Sequence, residues 1–153
     1  MLRIGKLTDY ATVLLAVLAQ EPEQHRAATE LAERTLLSSA TVSKVLKELQ
    51  RAGLVQSSRG SQGGYRLARD PDRITAAQIL DVFEGPIAIT ECASGRSRCC
   101  IEEACGVGSA WQRVSAAVRH ALEDVTLRQL AGLDQPVLRV SDLVTEMRAG
   151  LPR

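Results

Sequence analysis

Aromatic side chains are scarce in this sequence: Tyr10, Tyr65, Phe83 and Trp111 are all there are in 153 residues. A core without aromatic bulk has to be filled by Leu, Val, Ile and Ala, a supply that favours helices packed on one another. Long apolar runs are missing as well. The stretch Tyr10 to Ala19 spans ten residues, where a membrane helix needs roughly twenty. Arg3 and Lys6 ahead of it imitate a secretory signal, but Asp9 stands where the apolar stretch begins. The expectation is a cytoplasmic protein with no membrane contact. Net charge is nearly absent too, since 19 Lys+Arg against 18 Asp+Glu leave +1. Taken as a total, that balance argues against a nucleic-acid partner. Hydrophobic residues at 45% and charged ones at 24% exclude a disordered chain. Length suggests one domain, or two small ones sharing a core.

Enzyme signatures are lacking. There is no C-x-x-C and no βαβ pattern, which leaves a thiol oxidoreductase weakly supported. No base stands near a nucleophile, which weakens a hydrolase further. The expectation is a protein that is not an enzyme.

What is present is a local field. Arg34, Lys44, Lys47, Arg51, Arg59, Arg66 and Arg69 fall between positions 34 and 69 with Glu48 as the sole acid, a surplus of +6, while the remainder of the chain carries −5. The chain is bipolar rather than neutral.

The same stretch has a recognisable order of elements. Thr8 can cap a first helix, with Asp9 in its first turn, running to about Gln20 before Glu21-Pro22-Glu23 stops it. Ala27 to Arg34 reads as a short second helix, Leu36-Leu37 as a turn, and Ser38-Ser39 as caps of a third. That third helix puts Val42, Val45, Leu46 and Leu49 on one face and ends at Gly53. Two short helices joined by a tight turn form a helix-turn-helix pattern. Leu54 to Ser58 and Tyr65 to Leu67 then read as strands about the turn Arg59 to Gly64, which makes the unit a winged helix. Asp70-Pro71-Asp72 breaks the chain, Thr75 caps a helix through Phe83, and Gly85-Pro86 ends it.

After the cysteine segment a long helix is expected from Ser109 to Ala131. Trp111, Val114, Val118, Ala121 and Val125 form a heptad-like seam along it. The natural use of that seam is a homodimer; intramolecular packing is the alternative. Val137 to Val140 and a short helix from Asp142 to Arg148 finish the chain. The expected fold is mainly α with a small β-hairpin: a winged helix-turn-helix over 1–84, a cysteine-containing cluster-binding loop over 85–108, and a dimerisation helix with the C-terminal segment over 109–153.

Duplex DNA is a dense line of negative charge, so a binder needs clustered cations and hydrogen-bond donors. The second helix of a helix-turn-helix enters the major groove and offers its N-terminal side chains to base edges. Here those are Ser38, Ser39, Thr41, Ser43 and Lys44, with Lys47 and Arg51 further along, suited to the backbone. In the wing, Arg59 beside glycine suits a narrow minor groove, and Gln62 joins it. Each residue has a plainer reading: Ser38 and Ser39 as caps, Lys47 and Arg51 as a solvated face, Gly63-Gly64 as a mere turn. Together, the charge surplus, the helix pair and the basic hairpin favour a double-stranded DNA operator as partner.

Cys92, Cys99, Cys100 and Cys105 are spaced C-x6-C-C-x4-C. Thiolates are the usual ligands of iron–sulfur clusters. Zinc competes, although structural sites usually contain a C-x(2–4)-C pair. A disulfide between neighbours Cys99 and Cys100 would be strained. Buried, inert thiols would not suit so polar a loop.

Leu7-Thr8-Asp9-Tyr10-Ala11, the Ser38-to-Leu54 helix and the segment Gly53 to Leu67, with its S-x-R-G-x-x-G-G-Y-x-L motif, resemble the Rrf-two family of winged-helix transcriptional regulators, which includes the IscR and NsrR types. The resemblance covers nearly the whole chain, and its cysteine loop is most similar to that of SUF-system iron–sulfur assembly regulators. It implies a homodimeric DNA-binding factor, a repressor, whose operator affinity depends on an iron–sulfur cluster, 2Fe–2S ahead of 4Fe–4S. It implies Cys92, Cys99 and Cys105 as ligands, with Cys100 a neighbour. IscR-like members carry a histidine three residues after the last cysteine, where this chain has Gly108. Candidates for the fourth ligand are Asp9 of the partner subunit, then Cys100, then a small exogenous ligand; in its plainer reading Asp9 complements the helix dipole. The alternative regulator uses the same cysteines as a redox-thiol or zinc switch without a cluster.

Overall fold

The computed structural model describes residues 3–60, 62–90 and 106–134. Cys92, Cys99, Cys100 and Cys105, and the elements expected after residue 134, lie outside the described residues.

Six helices and one hairpin are described: α1 Lys6–Ala19, α2 Ala28–Thr35, α3 Ser39–Arg51, β1 Val55–Ser58, β2 Gly64–Leu67, α4 Ala76–Phe83, α5 Gly108–Glu123 and α6 Leu127–Leu130, with a 3₁₀ turn at Pro71–Arg73. The expected mainly helical winged helix-turn-helix is what the chain forms. Its core is aliphatic, as the shortage of aromatics demands: Leu14, Leu15 and Leu18 of α1 meet Leu31 of α2 and Val42, Val45, Leu46 and Leu49 of α3, all fully buried. Leu54 and Val55 of the hairpin, Ile74, Ile79 and Leu127 of α6 close it. Each buried leucine contributes about 2 kcal/mol of transfer free energy.

The start of α1 differs from the expectation. Gly5, not Thr8, occupies the N-cap, and Thr8 is buried inside the first turn. The orphan donors of a helix start must find an acceptor. Here Glu84, just past α4, supplies one: its Oε1 accepts from Gly5 N–H at 2.9 Å and from Thr8 Oγ1 at 2.5 Å. No local pattern reveals a cap that arrives from 76 residues away.

The end of the long helix also differs. Thr126 adopts extended backbone and caps α6, in a capping box whose Thr126 Oγ1 accepts from Gln129 N–H while Gln129 Oε1 accepts from Thr126 N–H. The intervening backbone pairs with the start of α4: Ala76 N–H donates to Val125 O at 2.9 Å and Leu127 N–H to Ile74 O at 2.7 Å. α5 therefore stops at Glu123, and α6 folds back to pack on α1. Thr75 caps α4 as the sequence suggests, with Gln78 completing a second capping box.

Candidate functional site

α3 has two faces. Val42, Val45, Leu46 and Leu49 point into the core, and Ser39, Ser43, Lys44, Lys47 and Arg51 point to solvent. The helix begins at the Ser38 cap, where Ser38 Oγ accepts from Thr41 N–H at 3.2 Å and lies 2.8 Å from Thr41 Oγ1. The Ser38–Thr41 pair uses one hydroxyl proton internally and leaves one for an outside acceptor. Ser38 is therefore a cap whatever else it contacts. Ser39 and Ser43, one turn apart, share the exposed face with Lys47. The free N–H groups of the first turn add a positive helix end suited to phosphate.

Not every cation of the basic segment stands without an acidic partner. Arg51 Nη1 pairs with Glu48 at 2.7 Å, and Arg66 Nη1 pairs with Glu23 at 2.7 Å, directed at the α1–α2 connection. Lys44, Lys47 and Arg59 have no ion pair among the described residues. The unpaired positive charge among the described residues is thus smaller than the sequence sum of +6, carried by Lys44 and Lys47 of α3, Arg59 at the hairpin tip and Arg69 just after β2.

The hairpin is antiparallel, with Val55 opposite Leu67 and Ser58 opposite Gly64. Arg59, Gly60 and Gln62 form its exposed tip. The hairpin is fastened twice. Gln50 Nε2 of α3 donates to Ser57 Oγ at 2.9 Å. On the other side Arg26 N–H donates to Tyr65 O at 2.9 Å and Tyr65 N–H to Arg26 O at 2.8 Å, so the α1–α2 connection adds a bridge to β2. The Arg26 side chain is buried and ion-paired with Glu21 and Glu30. Neither Arg26 nor Gln50 was evident as a positioning residue from sequence; the only hint was the i,i+4 spacing of Arg26 and Glu30.

Removing the tip cation gives a direct test. If the hairpin tip lies against DNA as the sequence suggests, Arg59→Ala leaves the melting temperature unchanged, weakens duplex-DNA binding about tenfold and lowers the salt slope by about one. A mobility-shift titration at several salt concentrations measures all but the first, and unchanged binding would remove the wing from the interface.

Asp9 is exposed in the first turn of α1. It borders a groove of about 360 Å³ between α1, α4, α5 and α6, whose walls include Lys6, Ile79, Leu80, Leu122 and Leu130. The two sides of the cysteine segment are joined by contacts of their own. Arg119 of α5 grips Asp81 of α4 through both terminal nitrogens, at 3.1 and 2.9 Å, and its Nε lies 2.9 Å from Glu123. The Asp81 hydrogen bonds push the Arg119 pKa above its already high ordinary value. Ile89 N–H donates to Ser115 Oγ at 3.2 Å, and Ser115 is buried. Trp111 and Val114, two members of the expected seam, are each 43% exposed, Ala121 is exposed, and Val118 and Val125 are half-buried. Among the described residues no group of three or more His, Cys, Asp and Glu could hold a metal ion, and no helix is long and apolar enough to cross a membrane.

Comparison with known proteins agrees with this architecture. The family model described as Rrf2, iron-dependent transcriptional regulator, matches residues 4–132. The chain is 32% identical to the HTH-type transcriptional regulator CymR of Bacillus subtilis (strain 168) over 78% of this chain and 82% of that one. The solved structure of that protein, described as the global cysteine regulator, aligns with a TM-score of 0.69, covering 88% of this chain and 100% of that one. The chain is also 30% identical to the regulator NsrR of Bacillus subtilis, over 94% of this chain and 90% of that one. The structure of IscR from T. potens aligns with a TM-score of 0.60 at 26% identity, covering 99% and 93%. The winged helix-turn-helix, its basic reading face and these matches lead to one conclusion: the chain belongs to the Rrf2 family of DNA-binding transcriptional regulators and is not an enzyme.

Proposed function

We propose that this protein is a homodimeric cytoplasmic repressor whose grip on its operator depends on an iron–sulfur cluster, and that it controls SUF iron–sulfur assembly genes. The observation that carries the proposal is the set of four thiols within 14 residues, Cys92 to Cys105, in a chain of this family. The donor set fits the group: thiolates are the ligands such clusters take, and the candidate protein ligands are Cys92, Cys99 and Cys105, completed by Asp9 of the partner subunit or by Cys100. When bound, a cluster supplies a redox-active, labile centre whose loss reports iron or oxidant status; 2Fe–2S ranks ahead of 4Fe–4S.

The chain's own part is to transmit the state of those thiols. The cysteine segment joins α4 to α5, which are tied by Arg119 to Asp81. The exposed Trp111 and Val114 of α5 suit the seam of a dimer. Dimeric readers need their half-sites about a helical turn apart, so a small change in the α4–α5 joint would alter the fit of both α3 helices and both wings. In this reading Ser38, Ser39, Thr41, Ser43 and Lys44 face base edges and phosphate from α3, Lys47 and Arg51 the backbone, and Arg59 and Gln62 the minor groove.

A second reading keeps the DNA-binding role and makes the cysteines a thiol or zinc switch. Its support is the likeness to the global cysteine regulator CymR, and the Gly108 that stands where a histidine ligand would be in IscR-like members.

Anaerobic purification with a UV–visible spectrum and iron, sulfide and zinc analysis separates the two. The proposal expects a coloured protein containing iron and sulfide. Cys99→Ala should lose the chromophore and essentially all iron, Cys100→Ala should retain both, and Asp9→Ala should change the spectrum or shorten the cluster's lifetime. A colourless, iron-free protein after anaerobic reconstitution overturns the cluster, and stoichiometric zinc would favour the second reading.

A further inference from the structure

The turn between α2 and α3 holds a residue that folding alone does not explain. Leu36 has φ 58° and ψ 22°, the only non-glycine residue with positive φ among the described residues. It is also the most exposed large apolar side chain among them, at 93%. Left-handed backbone disfavours a leucine where glycine or asparagine would sit without strain. Exposure forfeits the burial that ordinarily justifies a leucine. The next residue, Leu37, packs against the core, so the turn already has its apolar anchor. Leu36 thus carries two penalties and no compensating burial among the described residues.

Its position says what the side chain is for. Leu36 closes α2, and Ser38 caps α3 two residues later. Two Cα steps place it within about 7.6 Å of the cap, beside the end of α3 that offers Ser39, Ser43 and Lys44 to the duplex. Those neighbours are hydroxyls and a cation, which suit phosphate and the polar edges of bases. The one apolar feature of the major-groove code is the thymine 5-methyl group. We infer that Leu36 is a specificity-determining residue that packs on a thymine methyl in each half-site, adding an apolar reading contact at the entry of α3. The inference rests on α3 being the helix that enters the groove. It also accounts for the conformation: the αL turn directs Leu36 outward while Leu37 points inward.

The test uses the full-length protein and a duplex that the wild type has selected from a randomised library. Leu36→Gly removes the side chain at a position whose backbone glycine prefers, so its melting temperature should equal or exceed that of the wild type. Its affinity for the selected duplex should fall about tenfold, while binding to random-sequence DNA stays within about twofold. Replacing thymines one at a time by deoxyuridine should reveal one position per half-site at which wild-type binding weakens about fourfold, the worth of one buried methyl, and Leu36→Gly binding does not change. Leu36→Asn, polar and at ease in αL, should behave like the glycine variant. Wild-type affinity of Leu36→Gly for the selected duplex, or equal deoxyuridine penalties in both proteins, overturns the assignment and leaves Leu36 to a protein partner. Lys44→Ala separates the two levels. If it weakens binding while Leu36→Gly does not, only the Leu36 assignment fails; if neither weakens it, the groove-entering role of α3 fails too.

Discussion

Gly64→Ala is expected to destabilise the protein by about 3 kcal/mol and to release the wing. Gly64 has φ +148°, and a Cβ built there would lie 2.5 Å from Arg26 O and 2.6 Å from Arg26 C. Those are backbone atoms, held by the paired hydrogen bonds between Arg26 and Tyr65. Neither side can yield without breaking the bridge that fastens β2 to the α1–α2 connection. Gly60, at the tip, provides the control: its φ is +113°, but nothing lies within 4 Å of its would-be Cβ. Gly60→Ala should therefore cost only the conformational term, about 1–2 kcal/mol. Urea denaturation midpoints at constant slope measure both. Equal losses in the two variants would show that the Arg26 contact is not what requires Gly64.

Leu46→Ala should cost about 3 kcal/mol, within the range for a fully buried leucine replaced by alanine. Leu46 has no exposed surface and sits in the cluster where α3 meets α1 and α2. Lys47, its neighbour, faces solvent on the opposite side of the same helix. Lys47→Ala should change stability by no more than about 0.5 kcal/mol while lowering the salt slope of DNA binding by about one. Under the proposed function the pair divides folding from DNA contact between adjacent positions. Calorimetric melting and anisotropy titrations on both variants would reveal the reverse assignment, in which Lys47→Ala melts early and Leu46→Ala does not.

The local elements were legible because their causes are local. Ser38 ahead of a period of Val42, Val45, Leu46 and Leu49, the Gly53 stop at φ +69°, and the Thr75–Gln78 box each need only neighbours within a turn or so. Where the cause is distant, sequence pattern misplaces the boundary. Thr8 resembles a cap, yet a carboxylate at position 84 serves α1 and pulls Thr8 inside. Val125 fits the apolar seam of α5, yet its carbonyl is claimed by Ala76 N–H and the helix ends two residues before it. The basic face was legible in outline but overcounted, because Arg66 finds Glu23 across 43 residues. Gly63-Gly64 reads as a turn in sequence. It is in addition a close approach of backbones, since a Cβ on Gly63 would lie 2.4 Å from Ser58 O.

Glu84 ties the first turn of α1 to the end of α4. The junction has a mechanical meaning. Asp9 sits one residue beyond the bonded Thr8, so its backbone is held to the end of α4. α1 is also the helix on which α2, α3 and β2 pack. A displacement of the end of α4 therefore bears on the first turn of α1, and through α1 on α2, α3 and β2, within one protomer. α1 is thus a common axle, with α4 tied to its first turn and the helix-turn-helix pair along its flank.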